Sequence, residues 1–114
     1  MILGFNIFCE IAGNAPYRTN PFPRRGLSAL FSIQTTHVSG TGNPTLNAIV
    51  QHKNREDTSW TTAGSFAAIM GAGLKTLDVS GLKEEIRFSF TFGGGSSGAF
   101  LRVFIPPPAW RPYT

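Results

Sequence analysis

Apolar and polar residues alternate with a period of two along most of this chain. The clearest run sets Ile86, Phe88, Phe90 and Phe92 against Arg87, Ser89 and Thr91. Successive side chains of an extended strand point to opposite faces, so this spacing predicts a strand over 86–92 with one face buried and one wet. Residues 99–105 repeat the pattern, with Ala99, Leu101, Val103 and Ile105 on one face and Phe100, Arg102 and Phe104 on the other. The loop GGGSSG (93–98) is all that separates the two runs. They are therefore predicted to pair as an antiparallel hairpin. Further strands are predicted at 2–9 (Leu3, Phe5, Ile7 and Cys9 on one face), at 27–39 and at 74–80. A second hairpin is predicted from 46–53 and 59–63 around the charged turn Lys53-Asn54-Arg55-Glu56-Asp57. GTGNP (40–44) is a turn cluster. Within 64–73, AAIM (67–70) allows a helical turn, but the surrounding glycines oppose a longer helix.

Two segments break the alternation. GNAPYRTNPFPRRG (13–26) holds three prolines, each of which removes an amide donor and fixes φ. It reads as a stiff arm that cannot form a central strand. PPPAWRPYT (106–114) reads as an extended, proline-stiffened tail. The whole is one domain over 1–114, with a core of about 27–105 between the arm and the tail. The fold class predicted is all-β, an antiparallel β-sandwich of jelly-roll-like form.

Composition sharpens this picture. A chain of 114 residues is long enough for a single core. Charged residues make up 14% of it, below the quarter or so usual for soluble domains, and there are 10 Phe. That balance implies a surface partly covered by a partner. The net charge of +4 is unevenly placed: Arg18, Arg24 and Arg25 lie in the arm, and Arg102 and Arg111 have no acid near them in sequence. These arginines fit an acidic protein surface. Nucleic acid is a poor candidate partner, because ten basic residues face six acids and no aromatic–basic ladder is present. Cys9 is the single cysteine, which excludes an intramolecular disulfide and a cysteine metal site. The apolar N-terminus lacks the basic start of a secretory signal and is too short to span a bilayer, so no membrane association is expected.

The residues that carry chemistry are sparse. No nucleophile elbow, phosphate loop or dinucleotide glycine pattern occurs. His37 and His52 fall on separate strands, without metal-ligand spacing. Glu56-Asp57 and Glu84-Glu85 are adjacent pairs whose side chains point apart on an extended chain, which makes them turn acids and not a glycosidase pair. The expectation is a protein that is not an enzyme and uses no cofactor or metal. Trp60 is expected to anchor the core, since Trp buries a large area. Its other reading is a sugar platform shared with His52 and Arg55. Trp110 and Tyr113, beside Arg111 in the tail, are expected to dock against the domain or a neighbour.

The segments VQHKNREDTSWTTAGSF (50–66) and LKTLDVSGLKEEIRFSFTFGGGSSGAFLRVFI (74–105) carry a resemblance. Their order of a VQ strand, a polar turn ending at Trp, an L…V.GL strand and two closing strands resembles the small virion proteins of tailed bacteriophages over about 28–105. Discoidin-like sugar-binding modules share a comparable strand–turn–Trp rhythm, but their binding residues have no match here. The phage resemblance implies a capsid decoration, or cement, protein at the surface of the virion, made in the host cytoplasm. Such a protein binds the major capsid protein and bridges shell subunits, often as a homotrimer. The partner-binding residues expected on that reading are Arg18, Arg24, Arg25, Phe100, Arg102, Phe104, Trp110, Arg111 and Tyr113. The alternative is a carbohydrate-binding β-sandwich module of a phage tail or fibre.

Overall fold

The computed structural model describes residues 4–10, 17–39, 45–93 and 100–111. These residues form ten strands and no helix: β1 (Gly4–Glu10), β2 (Tyr17–Arg18), β3 (Phe22–Pro23), β4 (Ser28–Ser39), β5 (Thr45–Lys53), β6 (Thr61–Ser65), β7 (Gly73–Ser80), β8 (Glu85–Gly93), β9 (Phe100–Ile105) and β10 (Ala109–Arg111). They make two antiparallel sheets. The first contains β1, β9, β10, β4 and β7; the second contains β2, β3, β8, β5 and β6.

Each sheet has one lane shared by two short strands. β7 pairs with β4 over 28–35, so the overlapping pairings of β9 (34–39) and β10 (28–30) must occupy the other edge of β4. There β9 and β10 follow one another, separated by Pro106, Pro107 and Pro108. In the second sheet β5 takes one edge of β8, and β2 and β3 share the other. Thr19, between β2 and β3, keeps the ladder intact. Its N–H donates to the Phe88 carbonyl (3.0 Å), and its hydroxyl accepts from the Phe88 N–H (2.9 Å). The described prolines, Pro21, Pro23 and Pro106 to Pro108, thus fall at sheet edges and lane breaks, where a missing donor costs no ladder bond.

The predicted alternation of β8 holds. Ile86, Phe88 and Phe90 are buried and Phe92 packs against the core, while Arg87 and Thr91 face out; Ser89, on that outer side, is also buried. Phe31 of the first sheet meets Phe88 of the second edge-on at 5.6 Å between ring centroids, and Phe88 also lies against Phe22, Phe66 and Phe90. Ala29, Ile33, Leu46, Val50, Val79, Val103 and Ile105 complete this core between the two layers. The layers approach closely at Gly64, where a Cβ would lie 3.0 Å from the Leu77 Cδ2. Gly81 (φ 68°) supplies the left-handed turn that carries the chain from β7 in one sheet to β8 in the other.

Three expectations need correction. The hairpin of 86–92 with 99–105 does not form: β8 lies in the second sheet and β9 in the first. Both edges of β8 are already paired, and the two strands instead present their apolar faces to the same core from opposite sides. The helical turn at 67–70 is also absent. Ile69 forms an antiparallel bridge with Leu46, with reciprocal N–H to carbonyl bonds of 2.9 Å, and is fully buried. Lastly, the described parts of the arm and the tail are strands of the domain. Tyr17–Arg18 and Phe22–Pro23 line β8, and Ala109–Arg111 lines β4. A proline-rich segment is barred from a central strand but not from an edge lane. The 46–53 and 59–63 hairpin does form, as β5 with β6.

Candidate binding surfaces

The outer face of the second sheet carries a cluster that strand register builds. Gln51 stands directly opposite Arg87 in the β5–β8 ladder, and Lys53 stands opposite Glu85. Directly opposed side chains lie about 4.5–5.5 Å apart at Cβ, within reach of each other. The Arg87 Nε–H donates to Gln51 Oε1 at 2.7 Å, and Lys53 Nζ lies 3.7 Å from Glu85 Oε1. The turn after β5 then folds back over this face. It is held by the Asn54 N–H on Asp57 Oδ2 (3.0 Å), the Asp57 N–H on the Asn54 carbonyl (3.0 Å) and Lys53 Nζ on the Asp57 carbonyl (3.1 Å).

That turn delivers Trp60 onto the cluster. The Arg87 guanidinium carbon sits 4.3 Å from the Trp60 ring centroid, and Lys53 Nζ sits 5.5 Å away. Trp60 is half-buried and lies outside the core cluster. The expectation of a core anchor is therefore corrected: the ring buries its area against cations on the outside of the sheet. Neither does it join His52 and Arg55. His52 alternates to the other side of β5, where its Nδ1 accepts the Lys83 N–H at 3.2 Å. Arg55 is exposed, and its N–H donates to Glu84 Oε1 at 3.1 Å.

Burial, and then the charge of Lys83, hold the His52 pKa below 6.5. Between the lowered folded value and 6.5 the unfolded chain binds more protons than the folded one, so this contribution is complete above about pH 6.5 and is lost as pH falls below it. In His52→Asn, an amide oxygen keeps an acceptor near the Nδ1 position without titrating. Urea midpoints are expected to fall more between pH 7.5 and 5.5 for the native protein than for this variant.

The arginines and aromatics singled out from the sequence do not converge on one surface. Arg18 lies on the outer face of the second sheet, beside Arg87. Arg24 is engaged within the domain: its guanidinium bonds the Leu82 carbonyl and its N–H donates to the Glu84 carbonyl. Arg25 is exposed after β3. Arg102 and half-buried Phe104 alternate outward on β9 in the first sheet, opposite in direction to buried Val103 and Ile105. Trp110 turns inward, its ring edge-on to Phe22 (6.4 Å) and Phe31 (6.2 Å). Of its two expected docking places, the ring occupies the domain itself. Arg111 points out and pairs with Asp78 of β7. Together with Ser28 and Ser80, this pair lines an open depression of about 500 Å³ on the outer face of the first sheet. The side chain of Phe100, and Tyr113 altogether, lie outside the described residues.

Among the described residues no cluster of three His, Cys, Asp or Glu is placed to hold a metal, and no helix is long and apolar enough to cross a membrane. Compared with known protein families, with curated proteins and with solved structures, the chain matches none.

Proposed function

We propose that this chain is a structural virion protein, a jelly-roll domain that decorates a phage capsid and bridges subunits of its shell. The observation that carries the reading is the lane order. With each split lane counted once, the lanes run 1-8-3-6 in one sheet and 2-7-4-5 in the other. That interleaving of first with last and second with next-to-last is the order of two nested Greek keys, an architecture used by viral capsid and lectin domains. A shared architecture is an analogy and not a site, so the virion assignment leans also on the sequence resemblance over about 28–105.

Surface chemistry supports a binding role without catalysis. Asp57, Asp78, Glu84 and Glu85 are each engaged in turn or ion-pair contacts, which leaves none of these four as a free acid or base. Among the described residues β7 has one edge without a strand partner, with Leu74 near its start and Met70 just before it both more than half exposed. Such an edge is a natural contact for another protein. On this reading the shell contacts comprise the β7 edge, Arg25, the outward Arg102 and Phe104, and the chain end with Tyr113, arranged as a homotrimer about a local symmetry axis.

Quantitative mass spectrometry of purified virions, scaled to the major capsid protein, tests the proposal. Hundreds of copies per particle are expected, and absence from particles overturns it. A second reading, a glycan-binding module of a tail or fibre, is favoured by the surface position of Trp60. A handful of copies per particle would move the assignment there.

A further inference from the structure

The outer face of the second sheet holds two cations, Arg18 and Arg87, that no carboxylate among the described residues pairs with. Arg18 is paired opposite Ser89 in the β2–β8 ladder, and Arg87 lies two residues before Ser89 on the same face. Diagonal neighbours of this kind lie about 7–8 Å apart, somewhat less at Cβ, so two long guanidinium side chains can close on one small ligand. Ser89, between them, is 6% exposed. Arg87 is held in place from two sides, by Gln51 at its Nε–H and by the Trp60 ring at its face. The bond to Gln51 uses its Nε–H, and among the described residues no acceptor takes its terminal N–H groups.

None of the nearby acids forms an ion pair with either arginine. Glu85 faces Lys53, Asp57 caps the 54–57 turn, Glu84 accepts from the Arg55 main chain, and Glu56 is exposed in that turn. Asp78 pairs with Arg111 on the opposite sheet, and Glu10 belongs to β1, also in the opposite sheet. Lys53 and Glu85 cancel, so Arg18 and Arg87 leave a local charge of +2. Arg87 bears the cost of this proximity: burial, and then the charge of Arg18, lower its pKa.

We propose that Arg18 and Arg87, with Arg87 braced by Trp60 and Gln51, form a binding site for a tetrahedral dianion of the phosphate-monoester type. Arginine forks match phosphate oxygens through paired N–H donors, and a dianion matches the local charge where a carboxylate or a phosphodiester supplies half of it. The site is a single point of charge and not a track, which favours one terminal phosphate over a nucleic-acid backbone. This inference is independent of the virion assignment.

The test uses the two tryptophans as probe and control. In ¹⁵N-labelled full-length protein, glycerol 2-phosphate and sulfate at constant ionic strength are expected to shift the Trp60 indole and Arg87 Nε–H signals along saturating curves. The Trp110 indole, in the core, should stay in place. Acetate and chloride should give much weaker shifts. Arg87→Gln and Arg18→Gln should each weaken glycerol 2-phosphate binding at least tenfold, whereas Arg25→Gln should leave it unchanged. An unmoved Trp110 signal certifies that the variants are folded. Lowering the pH from 7.5 to 5 should weaken glycerol 2-phosphate, whose second pKa is near 6, while sulfate remains a dianion and reports any titration of the protein itself. Linear shifts, equal shifts of both indoles, or undiminished binding in the Arg18→Gln/Arg87→Gln double variant would overturn the proposal. So would a single-stranded oligonucleotide that binds through the same two arginines more tightly than the monoester does.

Discussion

Replacing Phe88 by alanine is expected to destabilise the domain by about 4 kcal/mol, within the range for a buried aromatic. Phe88 is fully buried on β8 and meets rings from both layers: Phe31 of the first sheet, and Phe22, Phe66 and Phe90 of its own side. Its removal takes away its own transfer free energy. It also opens a cavity that the four surrounding rings cannot collapse to fill, three of them held on strands and Phe66 by its N–H bond to the Ala48 carbonyl. A domain of this size has roughly 6–17 kcal/mol of stability in all, so the loss is a large share of the total. Urea denaturation should show a lower midpoint at an unchanged slope. Phe88→Leu, which keeps most of the volume, should lose less than half as much. A loss below about 1 kcal/mol for the alanine variant would mean that the layers do not meet at this ring.

The second large effect concerns the chain end. Removing residues 106–114 is expected to destabilise the domain by more than Trp110→Ala, and Trp110→Ala itself by about 3 kcal/mol. Trp110 closes the core between Phe22 and Phe31, and the segment around it pairs Ala109, Trp110 and Arg111 with Leu30, Ala29 and Ser28. Truncation therefore removes an aromatic wall and uncovers the edge of β4. Removing 112–114 alone should leave the unfolding free energy within about 0.5 kcal/mol of the native value, because the β10 pairing and the Trp110 contacts stay in place. The contrast also guards the functional assay. Loss of capsid binding after deletion of 106–114 would report unfolding, whereas loss after deletion of 112–114 would report docking. Equal stability of all three proteins would show that the Trp110 contacts contribute nothing.

Strand identity was largely legible from the alternation, because one face of each long strand is buried and the period of two is a local property. The runs at 27–39, 46–53, 74–80 and 86–92 all became strands, and the apolar face expected of 86–92 is the inward one, with Ile86, Phe88 and Phe90 buried. The β5–β6 hairpin was legible for the same reason, since its turn is short and polar. The partners of β8 and β9 were not. Two neighbouring strands with apolar faces read the same whether they pair side by side or face each other across a core, and the glycine-rich loop between them permits either.

The candidate site lay further beyond local reading. Arg18 was picked out as one of several unpaired arm cations, whereas Arg87 looked like an ordinary polar-face residue and Trp60 like a core anchor. What joins them is register: β2 laid along β8 brings Arg18 beside Arg87, β5 places Gln51 opposite Arg87, and the 54–60 turn folds Trp60 over it. By itself the sequence determined the all-β class, the positions of most strands and the buried face of the 86–92 run, because side-chain alternation and proline or glycine geometry act within a few residues. Only the tertiary structure decided which strands share a sheet, that the proline segments line sheet edges, and that Trp110 faces inward while Trp60 packs on cations outside. Those outcomes depend on which backbone edges remain unpaired once the core has closed, and that is a property of the whole chain.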